Sequence, residues 1–238
     1  AFVSITRGCD NMCTFCVVPF TRGRERSRDP KSILNEIHLL DKKGFKEITL
    51  LGQNVDSYLW YGGGLKKDYS KATSLQKKTS LRFNNLLEII AQEKPKMRIR
   101  FSTSNPQDMS DKVIEVISKY PNICRHIHLP VQSGSNKILK KMNRLHTREE
   151  YLILINKIKT KIPDCSISHD IIAGFPSEDD KDHLDTLNLM ESVKYEYGYM
   201  FKYSERPGTM AQKKFTDNVP LEIKNLHIFH YFTMEQMI

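Results

Sequence analysis

Three cysteines stand close together near the start of the chain. Cys9, Cys13 and Cys16 follow the spacing C-x3-C-x2-C on one short segment. Cysteine thiolates are the usual ligands of 4Fe–4S clusters, which ordinarily take four of them. Three ligands leave one iron open, and an open metal position is where a substrate or cofactor binds. The spacing therefore predicts a 4Fe–4S cluster that acts on a bound molecule.

A structural zinc site is the alternative interpretation of three close thiols. Zinc usually takes four ligands from paired knuckles, and no C-x2-C or H-x3-H pair follows later in the chain. Cys124 and Cys165 stand alone in apolar, strand-like runs, so we interpret them as small core residues. The spacing favours a cluster and leaves zinc open.

An arginine-rich segment follows the cysteines. Residues 22–28 carry an arginine at every second position, with Glu25 between them. Guanidinium groups bind phosphate through two parallel hydrogen bonds, which makes a nucleic-acid backbone a candidate partner. A solvated loop with a local Glu25 ion pair accounts for the same charges equally well.

Six apolar runs alternate with helical patterns along the chain. Asp29-Pro30 is a helix start, Thr147 and Glu150 form a capping box, and Ser177 is the predicted cap of a later helix. Strict alternation implies parallel strands with right-handed crossovers. Six units are too few for a closed eight-stranded barrel, so an open partial barrel or a doubly wound sheet is expected. The predicted strands cover residues 2–5, 48–51, 97–101, 124–129, 166–172 and 197–203.

Polar residues follow every predicted strand. In parallel α/β folds, function gathers at the carboxyl ends of the strands. A metal loop that faces other polar strand ends predicts an enzyme pocket rather than an electron-transfer module. After the cysteine loop, the polar strand ends are Gln53-Asn54, Ser102 to Asn105, Gln132-Ser133, Asp170 to Gly174, and Ser204 with Arg206.

Length and composition limit the class of protein. The 238 residues fit one large domain or two small ones, and a net charge of +9 with a pI near 9.2 favours a polyanionic partner. Five cysteines with three in a ligand cluster do not resemble a disulfide framework, so we expect a reducing cytoplasm. No signal peptide or membrane-spanning run is present in the sequence, so no membrane partner is expected. The lysine-rich segment 60–80, with Gly62 to Gly64, is predicted to be a flexible insertion.

Several long motifs together resemble the radical S-adenosylmethionine (SAM) methylthiotransferases, in the branch that makes 2-methylthio-N6-dimethylallyladenosine in tRNA. The likeness covers nearly the whole chain except residues 60–80. The branches that act on threonylcarbamoyladenosine in tRNA or on a ribosomal-protein aspartate differ in the second and third motifs. The motifs are FVSITRGCDNMC at 2–13, PFTRGRERSR at 19–28, LGQNV at 51–55, HLPVQSGS at 128–135, MNRLHT at 142–147, GFP at 174–176 and SERPGT at 204–209.

The resemblance implies a fold, a reaction and a set of site residues. The fold is a partial (β/α)6 TIM-like barrel, in which Cys9, Cys13 and Cys16 hold the cluster that cleaves SAM to a deoxyadenosyl radical. The radical abstracts hydrogen from C2 of an isopentenylated adenosine 3' of the tRNA anticodon, where a methylated sulfur is then inserted. The implied SAM contacts are Phe15, Gln53, Asn54, Ser104, Gln132, Ser133, Asp170 and Gly174, and the tRNA-facing candidates are Arg22, Arg24, Arg28 and Arg206.

The resemblance also implies further domains and partners. Residues 1–215 are expected to form the radical core, and 216–238 a helical segment leading to an RNA-binding domain of the TRAM type. The sulfur is expected on a second 4Fe–4S cluster in an N-terminal methylthiotransferase domain outside this chain. Expected partners are the tRNA anticodon stem-loop and an electron donor such as flavodoxin or ferredoxin, with the protein a monomer. The alternatives are a methylthiotransferase for threonylcarbamoyladenosine tRNA and a non-catalytic RNA-binding module with the same fold.

Two positions depart from the family pattern at the end of the fifth strand. Ser177-Glu178-Asp179 stands where the family usually has Gly-Glu-Thr, and His169 precedes Asp170 where a small residue is usual. We expect these departures to alter the shape of the SAM wall but not the chemistry of the cysteine loop.

Overall fold

The computed structural model describes residues 1–237, and the chain divides into two compact units. The first comprises Ala1–Asp10, Val18–Ile127 and Thr160–Cys165. The second comprises Asn11–Val17, His128–Lys159 and the chain from Ser166 onward. Among the residues described, no helix is both long and apolar enough to cross a membrane.

All six predicted strands are present, and they belong to parallel sheets. The first sheet has the order β1 (Phe2–Ser4), β4 (Glu47–Leu51), β7 (Arg98–Ser102), with Val3 opposite Leu50 and Leu50 opposite Phe101. The second has the order β10 (Tyr197–Lys202), β9 (Ser166–Ala173), β8 (His126–His128). In the second sheet, Tyr199 pairs with Asp170 and Phe201 with Ile172. Two short antiparallel pairs complete the strands: β2 (Thr6–Arg7) with β3 (Arg26–Ser27), and β5 (Leu59–Trp60) with β6 (Leu81–Arg82).

Helices alternate with these strands as predicted. Asp29 accepts a hydrogen bond from the Lys31 N–H at 3.2 Å, and Pro30 occupies the first turn, which confirms the first long helix start. The reciprocal Thr147–Glu150 bonds confirm the predicted capping box. The helices are α1 (Val18–Thr21), α2 (Pro30–Lys42), α3 (Ser74–Lys78), α4 (Phe83–Glu93), α5 (Asp111–Lys119), α6 (Asn136–Lys141), α7 (Arg148–Lys161), α8 (Asp180–Val193), α9 (Met210–Lys214) and α10 (Leu221–Met237).

The start of α8 differs from the prediction. Asp179 is the cap, since its carboxylate accepts from the Asp182 N–H at 3.0 Å, whereas Ser177 adopts a left-handed φ of 68° two residues earlier. Leu184 is an apolar residue of this helix, yet it is 54% exposed. Polar residues take the buried face instead: Ser135 donates to Asp182, and the Gly134 N–H donates to Thr186. These hydrogen bonds satisfy buried polar groups that an apolar pattern does not reveal.

Segment 60–80, which was predicted to be a flexible insertion, contains regular secondary structure. It contains a 3₁₀ helix over Lys66–Lys71 and α3, whose capping box joins Thr73 and Gln76. The Tyr61 and Tyr69 rings contact each other edge to face at 5.3 Å. Glu25 anchors the segment, because its backbone oxygen accepts from the Lys66 N–H at 2.9 Å and its buried carboxylate pairs with the Lys66 ammonium.

Candidate metal centre and cofactor cavity

In the first unit, the arginine-rich segment lies against the start of the cysteine loop. The Cys9 N–H donates to the Gly23 oxygen at 3.3 Å, and the Arg24 Nε lies 2.9 Å from the Asp10 carboxylate. Gly8 has a φ of +78°, and a Cβ there would lie 2.5 Å from the carbonyl oxygens of Gly23 and Arg24. Only glycine allows this close approach.

In the second unit, backbone and amide hydrogen bonds hold the rest of the loop to the end of α6. The Thr14 N–H donates to the Met142 oxygen at 3.0 Å, and the Thr14 hydroxyl donates to the Lys141 oxygen at 2.9 Å. The side-chain amide of Asn143 donates to the Met12 oxygen at 3.0 Å. The Cys16 N–H donates to the Cys13 oxygen at 3.0 Å, which closes a tight turn between these two thiols.

Arg144 contacts one of the candidate ligands directly. Its guanidinium donates to the Cys13 sulfur at 3.6 Å and to the Pro130 oxygen at 2.8 Å. The three loop cysteines are half-buried, and no disulfide joins any of the five cysteines, all of which are described. Three accessible thiols, one with a cationic donor on its sulfur, fit an anionic metal cluster. Arg144 belongs to the MNRLHT motif, but the sequence alone gave it no role.

A cavity of about 270 Å³ lies in the second unit at the carboxyl end of β9 and β10. It brings together Phe15, Gln132, Asp170 and Arg206, four of the residues predicted from the sequence. The Gln132 N–H donates to the Asp170 oxygen at 2.8 Å, and Gln132 adopts a left-handed φ of 76°. The sequence did not single out the aromatic residues of its wall, Phe201 and Tyr203.

The cavity combines aromatic walls with a few polar groups, which is the usual character of a small-molecule site. The Asp170 carboxylate lies 3.4 Å from His128 Nε2, and His128 Nδ1 lies 3.0 Å from the Ser168 hydroxyl. A carboxylate accepts hydrogen bonds from amino or hydroxyl groups, whereas Arg206 attracts anionic groups. The cavity can therefore hold part of a nucleoside with a charged substituent.

Other predicted SAM contacts have structural roles in the second unit. The Ser133 hydroxyl is buried, accepts from the Ser135 N–H at 3.1 Å, and is not part of the cavity wall. The Gly174 N–H donates to the Glu178 carboxylate at 2.9 Å, and a Cβ on Gly174 would lie 2.3 Å from the Lys224 side chain. Both residues shape the neighbourhood of the cavity, and their contact with SAM stays a prediction.

The first unit holds the remaining SAM candidates at the ends of β4 and β7. The Asn54 amide is buried and donates to the Asp108 carboxylate at 2.6 Å, whereas Gln53 is exposed. Ser104 is buried beside Asp56, whose carboxylate accepts from the Asn105 N–H at 3.2 Å. Burial raises the pKa of Asp56 to about 7.

The four tRNA-facing arginines differ in their surroundings. Arg22 and Arg206 are exposed, and Arg24 is exposed while it pairs with Asp10. Arg28 instead bonds internally to Glu36 and to the side chain and backbone of Ser32. Arg28 therefore has a structural role in this segment, and its contact with RNA stays a prediction.

His169 points away from the cavity, although it precedes Asp170. Its ring is fully buried and packs on the Tyr195 ring at 4.2 Å, on the opposite face of β9. The departure at His169 thus does not reach the cavity wall that Asp170 forms.

Residues 3–190 match the model of the radical SAM superfamily. The chain belongs to the radical SAM superfamily. Membership implies a 4Fe–4S cluster, as the cysteine spacing predicted, and SAM, as the resemblance implied. It replaces the zinc interpretation.

Curated relatives of this radical SAM chain cover its whole length. It is 67% identical over 236 residues to the tRNA-2-methylthio-N(6)-dimethylallyladenosine synthase of Christiangramia forsetii, with 99% of this chain and 49% of the relative aligned. The protein of that name from Karelsulcia muelleri is 62% identical over 236 residues, covering 99% of this chain and 52% of the relative. The chain spans about half the length of the curated relatives it matches.

Solved radical SAM structures share the fold. The cobalamin-bound methyltransferase TsrM from Kitasatospora setae matches with a TM-score of 0.67 and 14% identity, over 89% of this chain and 38% of that chain. Methylornithine synthase (PylB) matches with a TM-score of 0.62 and 15% identity, over 99% of this chain and 61% of that chain. The predicted fold class, an α/β protein of the partial-barrel radical SAM type, is confirmed.

Proposed function

We propose that this radical SAM chain is the core of a tRNA methylthiotransferase, which acts at C2 of isopentenyladenosine 3' of the anticodon. The observation that carries the proposal is the 67% identity over 236 residues to a tRNA-2-methylthio-N(6)-dimethylallyladenosine synthase. The arginine-rich segment and the LGQNV motif support this branch over the one for threonylcarbamoyladenosine. Because the chain spans half of such relatives, the complete reaction belongs to a longer protein.

Cys9, Cys13 and Cys16 would hold the cluster, whose chemistry is the reductive cleavage of SAM. Arg144 stabilises negative charge on the Cys13 sulfur, since a charged donor strengthens a hydrogen bond to an anionic acceptor.

The cavity residues would bind and orient SAM. Phe15 and Phe201 offer ring faces to the adenine, and Asp170 accepts hydrogen bonds from hydroxyl or amino groups. The side-chain amide of Gln132 would form hydrogen bonds with SAM. Backbone hydrogen bonds to β9 hold Gln132 in place. For Gln53, Asn54, Ser104, Ser133 and Gly174, contact with SAM is proposed from the resemblance alone.

The exposed arginines would bind the RNA. Arg22, Arg24 and Arg206 can each contact phosphate, and each phosphate contact that is lost lowers the salt dependence of binding. The whole protein would take its sulfur from a second cluster in a methylthiotransferase domain and its electrons from a flavodoxin or ferredoxin. Thiols without disulfides suit a cytoplasmic protein.

Isotope transfer tests the proposal without requiring sulfur insertion. The reduced, cluster-loaded chain is incubated with SAM and an anticodon stem-loop that carries isopentenyladenosine deuterated at C2. We expect deuterium in the 5'-deoxyadenosine product. Deuterium-free product from an RNA that binds the chain would contradict hydrogen abstraction at C2, and a stem-loop with threonylcarbamoyladenosine serves as the matched comparison.

A further inference from the structure

An aromatic strip runs along the edge strand of the second sheet. Tyr197, Tyr199 and Phe201 alternate along β10 and share one face, and their side chains are 42%, 54% and 52% exposed. The Tyr197 and Tyr199 rings meet edge to face at 6.0 Å, and Tyr199 meets the His128 ring at 6.1 Å. A contiguous patch of exposed aromatic rings often marks a binding surface, whereas single exposed apolar residues are common on any protein.

The strip leads into the cofactor cavity. Tyr199 pairs with Asp170 and Phe201 with Ile172 in the parallel register, and Asp170, Ile172 and Phe201 all line the cavity. The strip and the cavity wall therefore form one continuous face of the second unit. A molecule stacked on Tyr199 would lie next to whatever the cavity holds.

The opposite face of β10 is the one used for packing. Helix α10 packs against this strand, and a Cβ on Gly198 would lie 2.2 Å from Nε2 of the buried His169. The contact with His169 thus uses the face of β10 opposite to the one that carries the exposed rings.

Charge beside the strip favours an anionic ligand. Arg206 lies at the cavity and is exposed, Lys202 also lines the cavity while its ammonium donates to Asn225 of α10 at 2.9 Å, and the chain has a net charge of +9. Exposed aromatic rings next to cations are how proteins bind unpaired bases and the adjoining phosphates. A protein partner would bury the rings equally well but has no need of the cations.

We infer that the aromatic strip is the stacking platform for an unpaired adenosine of the RNA substrate. The inference rests on the proposed function and deepens it, because it assigns base recognition to Tyr197 and Tyr199 and phosphate recognition to Arg206. Stacking on the strip holds the base at the mouth of the cavity, with its ring beside Phe201. The platform is a positioning surface, and none of its residues takes part in bond breaking.

The test measures RNA affinity of the full chain. The probes are a fluorescent RNA hairpin with one unpaired adenosine and the same hairpin with an abasic nucleotide at that position. Wild type should prefer the adenosine hairpin by about tenfold, the size of one base-stacking contact. Tyr199→Ala should remove that preference while the slope of affinity against salt concentration stays unchanged, and Arg206→Gln should lower the slope by about one.

Matched variants distinguish stacking from other roles of the strip. Tyr199→Phe keeps the ring and should keep the preference, whereas Tyr199→Leu keeps apolar bulk and should lose it. Phe45→Ala, at an aromatic residue 43% exposed in the first unit, should change nothing. Should Tyr199→Ala fail to fold, Tyr199→Leu carries the same test.

Several results would overturn the inference. A Tyr199→Leu variant that retains the adenosine preference would identify a general apolar face, as for a protein partner. A wild-type chain that binds the adenosine and abasic hairpins equally well would also overturn the inference. If that chain still cleaves SAM when reduced, only the role of the strip is refuted. If it does not cleave SAM, the proposed function is refuted.

Discussion

At the scale of single residues, the Arg144 guanidinium contacts the sulfur of Cys13, one of the three candidate cluster ligands. The donor lies 3.6 Å from the sulfur, and the same guanidinium is held by the Pro130 oxygen at 2.8 Å. Hydrogen bonds to ligand sulfurs tune the reduction potential of iron–sulfur clusters, because they stabilise the added negative charge.

Removing that donor should make the cluster harder to reduce. Arg144→Met should lower the reduction potential by roughly 60 to 130 mV, which corresponds to the loss of one charged hydrogen bond. Arg144→Lys keeps the charge and should shift the potential less. A redox titration followed by electron paramagnetic resonance measures both, and an unchanged potential in Arg144→Met would contradict the role of this contact.

Asp56 gives a second prediction at this scale. Its pKa is raised from 3.8 to about 7 by burial, so the folded chain favours the protonated carboxyl. Its contribution to stability is full below pH 3.8 and is lost as the pH rises through 7. Asp56→Asn should therefore gain stability relative to wild type by up to about 1.4 kcal/mol per pH unit between pH 4 and 7.

Urea unfolding of both proteins across that pH range measures the difference. Buried histidines such as His169, whose pKa is lowered to about 4 mainly by burial, make the stability rise with pH, opposite to Asp56. Because wild type and Asp56→Asn share these histidines, the difference between their unfolding free energies cancels that effect. A difference in unfolding free energy that is constant with pH would show that Asp56 is ionised throughout.

At the scale of elements, α10 is fixed to the carboxyl end of β9. The His227 Nδ1 lies 2.9 Å from the buried Glu178 carboxylate, which also accepts from the Gly174 N–H. The Lys224 ammonium donates to Asp217 and to the Tyr203 oxygen. These contacts join the last helix to residues beside the cofactor cavity, so disturbance of α10 should reach the cavity wall.

The contact between β9 and β10 can be tested by a double-mutant cycle. Gly198→Ala places a Cβ 2.2 Å from the His169 ring, and overpacking of this kind costs about 1–3 kcal/mol. In a His169→Ala background the clash is absent, so the same substitution should cost at least about 1 kcal/mol less. Unfolding free energies at neutral pH measure the coupling, and additive effects would show that the strand adjusts instead.

The sequence predicted the elements better than their details. Strand positions followed from apolar runs, and the caps at Asp29 and Thr147 followed from local chemistry. The cap at Asp179 was missed because it depends on the left-handed backbone at Ser177. The polar inner face of α8 was not predicted, because hydrogen bonds to distant residues keep Asp182 and Thr186 buried there. Such long-range polar contacts leave no periodic pattern in a sequence.

The candidate site was predictable where a motif carries it. Spacing identified the three cysteines, and the strand-end rule identified Gln132 and Asp170 in the cavity. Arg144 and Tyr203 were not singled out because their proximity arises only from folding. The rule also selected Ser133, since it places a residue at the strand end without specifying which way its side chain points.

At the scale of the whole molecule, three properties bear on function: the family, the net charge and the length of the chain. The superfamily match covers residues 3–190, the net charge is +9, and the chain spans about half of its curated relatives. The family match supports a 4Fe–4S cluster and SAM as cofactors, and the positive charge agrees with the proposed binding of RNA. We propose, as the central claim, that the chain alone can bind a cluster through the loop cysteines and cleave SAM there.

The most direct test is SAM cleavage by the anaerobically reconstituted and reduced chain. We expect iron near four per chain, as a single 4Fe–4S cluster requires, and formation of 5'-deoxyadenosine with methionine. Cys13→Ala should abolish both, while Cys124→Ala, which removes a thiol outside the loop, should retain both. Cleavage of SAM by Cys13→Ala, or its absence in iron-loaded wild type, would contradict the account.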